Sequence, residues 1–141
     1  MKEAVAEAKK AKTEGEIPVG AVIVKGDEVI SRAHNTRERK KNALGHAEIV
    51  AIDRACKKLG DWRLSGCEIF VTLEPCAMCA GAIIGSRMSR VVFGAFDPKA
   101  GCCGSAENLL ARLGDPAPEE LGGVLQDECE TLLETFFKDK R

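Results

Sequence analysis

From Pro18 to Phe96 the sequence passes back and forth between two kinds of apolar pattern, and that alternation limits the architecture more than any other feature. "PVGAVIVK", Pro18 to Lys25, is rich in Val and Ile and reads as a strand. Gly26-Asp27 is a turn signal and "EVISRAH" follows as a partner strand, so a hairpin is expected. Asn35 to Gly45 is polar and basic, and reads as a loop. "HAEIVAIDRACKKLG" places apolar residues at Ile49, Ile52, Ala55 and Leu59, the steps of three and four that mark a helix, and Gly60 ends it. "CEIFVTLE" is a buried-type strand, Pro75 suits the first turn of a helix continued by "CAMCAGAIIGS", and "RVVFGAF" is a further strand. Alternation of this kind favours a sheet with helices on its faces.

The flanks are helical. Residues 2–14 mix Ala and Val with Lys and Glu and stop at Gly15. Residues 105–113 read as a helix and Gly114 to Gly123 as a loop. "QDECETLLETFFKDK" closes the chain as an amphipathic helix with Leu132, Leu133, Phe136 and Phe137 on its inner side. A length of 141 residues suits one domain over residues 1–141. With 45% apolar and 30% charged residues the composition is that of an ordinary globular protein. No apolar run approaches the roughly 20 residues that span a bilayer, and the N-terminal stretch has no apolar signal core. A cytoplasmic, non-membrane protein is expected. Seven cysteines then point to thiols or metal ligands rather than to a disulfide framework.

Two short stretches carry the chemistry. His46 opens one predicted helix as "HAE", and Cys76 and Cys79 open another as "PCAMC". The cysteine pair alone is open to a redox, a structural-zinc or a catalytic reading. Positions i and i+3 share a helix face, so both sulfurs can reach one ion, and a helix N-terminus favours thiolates. A zinc ribbon needs a second spaced pair, and the adjacent Cys102-Cys103 fits that poorly. Three ligands, His46, Cys76 and Cys79, leave a tetrahedral zinc one open position, the mark of a catalytic site. Water held there has its pKa lowered to about 7, and Glu48 is the nearest carboxylate in sequence to move its proton. Side chains two apart on an ideal helix point about 200° apart, so Glu48 requires either a long reach or an irregular helix start.

His-x-Glu followed by Pro-Cys-x-x-Cys is the signature of zinc nucleobase deaminases. The chain resembles that cytidine/deoxycytidylate deaminase superfamily and, within it, the bacterial tRNA adenosine deaminases that make inosine at the wobble position. "IPVGAVIV", "HAEIVAI", "DWRLSGC", "VTLEPCAMCAGAII", "SRVVFGAFDPKAG" and "GVLQDEC" follow that family's segments in order, and "FFKDKR" is similar to its tail. The resemblance implies a three-layer α/β/α fold, a five-stranded mixed sheet with helices on both faces. It implies a homodimer, one zinc per chain on His46, Cys76 and Cys79, and Glu48 as the catalytic proton carrier. It places Asn35 against the base and Asp97 against the flipped nucleotide's backbone or sugar; a turn asparagine and a loop cap are the plain alternatives. The tRNA anticodon loop is the implied substrate, with Arg37 to Lys41 and the basic tail, Lys138, Lys140 and Arg141, along the RNA path. Charge alone reads those two segments as a solvated loop and a helix end.

Three segments depart from the family pattern: "NALG" (Asn42 to Gly45) before the histidine, Cys102-Cys103 in place of small residues, and the acidic "GDPAPEELGG". They leave the zinc residues untouched and keep open a second substrate class, a free base or nucleoside such as guanine, cytosine or adenosine.

Overall fold

The computed structural model describes residues 1–140; Arg141 of the basic tail lies outside the described residues. Its elements are α1 (Lys2–Thr13), β1 (Gly20–Lys25), β2 (Glu28–His34), α2 (Ala47–Leu59), β3 (Cys67–Leu73), α3 (Ala77–Gly85), β4 (Arg90–Ala95), α4 (Leu109–Leu113), β5 (Glu119–Leu121) and α5 (Gln126–Asp139). The five strands lie in the order β2-β1-β3-β4-β5. β1 runs antiparallel to both β2 and β3, whereas β3, β4 and β5 are mutually parallel. Parallel neighbours need a crossover connection, and α3 and α4 provide the two. Helices α2 and α3 pack side by side on one face with α4 beside them; α1 and α5 cover the other face. This is the expected three-layer α/β/α arrangement.

Strand side chains alternate between the two layers. Ile23, Ile69, Val71, Val91 and Phe93 belong to the main core on the α2/α3 side, together with Ala47, Ala51, Ala55 and Ile83. Val5, Ala95 and Cys129 form a smaller core on the α1/α5 side, against Leu132 and Leu133. Helices approach the sheet through small residues. α1 buries Ala4, Ala8 and Ala11, and Gly20 of β1 lies so close that a Cβ there would collide with the backbone of Ala4 and Ala8.

Several sequence expectations change in detail. The buried stripe of α2 is Ala47, Ala51 and Ala55, not the larger residues: Ile52 is only partly covered and Leu59 is exposed. Close helix–sheet packing selects the smaller side chains. Helix α4 occupies only the end of 105–113, and the expected 114–123 loop contains β5. Every residue of β5 is exposed, so it has no buried face to leave an alternating signature. Pro75 lies outside α3, which starts at Ala77 with Cys76 as its N-cap. Phe136 is buried, but Phe137 of the predicted inner face is 47% exposed. Gly60 ends α2 in the left-handed conformation, φ 68°, its N–H bonding the Cys56 carbonyl.

Two glycine substitutions should move stability in opposite directions. Gly20→Ala overpacks the α1–β1 contact and should cost on the order of 1–3 kcal/mol. Gly81 is exposed within α3, with open space where a Cβ would go, and Gly81→Ala should stabilise by about 0.5–1 kcal/mol. Denaturant unfolding of the two variants measures both.

Candidate active site

Chain direction reverses between β1 and β3, and beyond the carboxyl ends of β3 and β4 the adjoining loops leave a crevice, the usual place for a site in such sheets. The loop after β2 and the start of α2 bring His46 there. The end of β3 brings Cys76, and the end of β4 brings Asp97. His46 is the N-cap of α2 with extended backbone, φ −75° and ψ 144°. Cys76 is likewise the extended N-cap of α3, and Cys79 lies one turn in. The puzzle over Glu48 is thereby resolved. Because His46 stands outside the helix, its ring and the Glu48 side chain do not follow helical spacing, and both line the same cavity.

The Nδ1 atom of His46 lies 3.7 Å from the Cys76 sulfur and 3.6 Å from the Cys79 sulfur. All three donor atoms fall within 4.8 Å of one another. With Zn–N about 2.0 Å and Zn–S about 2.3 Å, tetrahedral geometry separates the nitrogen from each sulfur by about 3.6 Å. The donor set therefore fits zinc in both chemistry and spacing, and two helix N-termini add partial positive charge around the thiolates. The Cys76 thiol is held down at about 3, first by its hydrogen bond with Cys79 and then by His46. Cys79 is pushed up, first by that shared bond and then by burial. His46 is raised chiefly by its bond to Cys76, and burial raises the Glu48 carboxyl.

The cavity, about 190 Å³, is lined by Ile17, Asn35, Glu48, Glu74, Cys76 and Asp97 among others. That is below the roughly 300–1,000 Å³ of sites that engulf drug-sized ligands, and suits one flat heterocycle. Asn35 and Asp97 thus reach the cavity, and each also performs the plain turn role. The Asn35 side chain accepts from the Arg37 N–H and donates to the Ile17 carbonyl. Asp97 accepts the Lys99 and Ala100 N–H groups through Oδ1.

Arg37 lines the cavity mouth, and the exposed Arg37–Lys41 stretch continues away from it. The Asn42–Gly45 departure does not line the cavity; it folds back on the preceding turn, with Thr36 N–H bonded to the Gly45 carbonyl and Asn42 N–H to that of Arg37. Cys102 and Cys103 are core residues outside the donor cluster. The second histidine, His34, is held between Glu7 and Glu14 by its two ring nitrogens.

Sequence reasoning missed two residues. Glu16 is 1% exposed and accepts the Glu38 and Arg39 N–H groups at 3.1 and 2.6 Å. Glu74 is 2% exposed and binds the loop after β4. Neither carboxylate belongs to a periodic pattern. The available signal was a charge next to a strand end in "TLEPC", where no cation partner sits nearby in sequence.

The family model described as the cytidine and deoxycytidylate deaminase zinc-binding region matches residues 1–95. The chain belongs to the cytidine and deoxycytidylate deaminase family. It is a zinc-dependent hydrolytic enzyme of that family. The deaminase is 54% identical to the tRNA-specific adenosine deaminase of Bacillus subtilis (strain 168), over all of this chain and 88% of the relative. A solved tRNA:A34 deaminase, studied for A-to-I editing at the wobble position of transfer RNA, superposes with a TM-score of 0.86 at 37% identity, covering 94% of this chain and 97% of that one. A solved guanine deaminase from Bacillus subtilis matches at 35% identity with a TM-score of 0.66, over 79% of this chain and 71% of that one.

Metal analysis after purification without added zinc should find one zinc per chain. Cys76→Ser or His46→Ala should bring that close to zero. Chelation should lower the melting temperature of the wild type, because a ligand that binds only the folded state stabilises it. An active enzyme free of metal would contradict this.

Proposed function

We propose that the deaminase converts adenosine to inosine at the wobble position of a tRNA anticodon loop, with His46, Cys76 and Cys79 holding zinc and Glu48 moving the protons. The observation that carries this reading is the meeting of the three donors and Glu48 in one base-sized cavity. The full-length similarity to a tRNA-specific adenosine deaminase supports the substrate. Zinc, when bound, supplies a water acidic enough to be deprotonated near neutral pH.

The net reaction adds water at C6 of adenine, breaks the C6–N6 bond and releases ammonia. Glu48 takes the proton that water gives up and delivers it to N1, and then relays a proton to the departing amino group. Its burial within the cavity keeps that traffic away from bulk solvent. Asn35 meets the base edge and Asp97 the sugar or backbone of the flipped nucleotide, a contact open to Oδ2 while Oδ1 caps the loop. A nucleotide must leave its stack to enter such a cavity. Arg37, at the cavity, and the exposed Arg39, Lys40 and Lys41 that follow it suit the phosphates of the flanking RNA, and the family resemblance adds Lys138 and Lys140 of the tail. The reading includes a homodimer, tested by light scattering in solution, and a cytoplasmic location; no helix among the described residues is long and apolar enough to cross a membrane.

The second reading, a free base or nucleoside, draws on the similarity to a guanine deaminase. A substrate panel separates the two. An arginine tRNA anticodon stem-loop with adenosine at the wobble position should yield inosine, whereas free bases and nucleosides should release no ammonia. The opposite result overturns the RNA reading. Glu48→Gln should retain zinc yet lose about 10²-fold or more in kcat; wild-type-like turnover would remove Glu48 from the mechanism. RNA affinity should fall steeply with salt, since phosphate contacts release counterions, while turnover of a small neutral substrate would be nearly flat.

A further inference from the structure

Glu74 is a buried carboxylate with no cation beside it: among the described residues it forms no ion pair. Burial of an unpaired charge is costly unless hydrogen bonds replace the lost water. Here four do. Oε1 accepts the Asp97 N–H at 3.1 Å and the Ser105 hydroxyl. Oε2 accepts the Cys103 and Ser105 N–H groups, each at 3.0 Å. The Glu74 backbone N–H is bonded to the Ala95 carbonyl at the end of β4. One side chain therefore ties both ends of the 97–105 loop to the strand end that precedes the zinc ligands. Gly101, at the middle of that loop, lies against the carboxyl group, and a Cβ there would collide with it.

We propose that Glu74 is a positioning residue for substrate: it holds Asp97 at the cavity wall and so sets substrate affinity rather than the chemical step. This rests on the reading that Asp97 contacts the substrate. All four partners are donors, so an acceptor-only fork is required. That makes Glu74→Gln selective. Its amide oxygen must face the Cys103 and Ser105 N–H groups, where nothing can accept. The amide nitrogen then falls on the other side, where the Ser105 hydroxyl can turn to accept but the Asp97 N–H cannot. The bond to Asp97 is the one lost, and the remainder of the loop stays anchored.

The expected result is a KM raised about tenfold in Glu74→Gln, the scale of one lost buried hydrogen bond, with kcat within about twofold, as for loss of uniform binding. Zinc stays at one per chain, and amide exchange quickens at Asp97 but not at Cys103. In an Asp97→Ala background Glu74→Gln should add little, because the two act through one contact. The split is read on whichever substrate the wild-type enzyme turns over, so a wrong substrate assignment above leaves this test intact. An unchanged KM in the zinc-loaded variant overturns the proposal. So does a fall confined to kcat, a loss of zinc, or full additivity with Asp97→Ala.

Discussion

The structure depends on two helix starts being held side by side. Helices α2 and α3 lie next to each other on one face of the sheet, and each begins with an extended residue, His46 or Cys76, that turns its side chain out of the helical path. Only with both starts at the same edge can a nitrogen and two sulfurs converge to tetrahedral spacing. The antiparallel pairing of β1 with both β2 and β3 sets that edge, because it makes β2 and β3 run the same way and end on the same side, where α2 and α3 begin. Alanine stripes on α1 and α2 and the bare Cα of Gly20 bring the helices close enough to keep the layers in register. The cavity lies where the strand direction reverses, a gap left by topology and then furnished by side chains.

Two buried carboxylates extend that furnishing to the rim. Glu16 binds backbone N–H groups of the basic 37–41 turn, and Glu74 binds those of the 97–105 loop. Loops pinned by backbone bonds can vary their outward side chains without moving the wall. That separates the reacting centre, common to a family of deaminases, from the surfaces that select what enters. The chain superposes on both a tRNA:A34 deaminase and a guanine deaminase, so its layered architecture is shared by enzymes with different substrates. Of the departures in this sequence, Asn42–Gly45 is folded onto the neighbouring turn and 114–123 runs along the β5 edge, neither lining the cavity, and Cys102 and Cys103 pack in the core.

Much of this is legible in the amino-acid sequence. The hairpin, the long helices, the parallel-type strands and the ligand trio each leave a local pattern: alternation, a repeat of three to four, or a spaced motif. What escaped had no local pattern. β5 is three exposed residues at a sheet edge, stabilised by pairing to β4 rather than by burial. The inner face of α2 could not be read from the largest apolar residues, because contact distance favoured alanine. The start of α3 after Cys76, rather than at Pro75, follows from the extended cap that aims the sulfur.

The amino-acid sequence by itself determined the family and the layer type and marked the candidate zinc-binding and proton-carrying side chains, because those depend on residue types at short spacing. Tertiary structure alone decided how Glu48 shares a cavity with His46 despite adverse helical spacing, and that Asn35 and Asp97 serve as turn formers and cavity walls at once. It also decided that Glu74 is a backbone anchor. The physical reasons differ: Glu48 shares the cavity because His46 caps its helix with extended backbone, whereas Asn35, Glu74 and Asp97 meet there only because strand pairing and helix packing join segments twenty or more positions apart, a distance over which no local periodicity carries information.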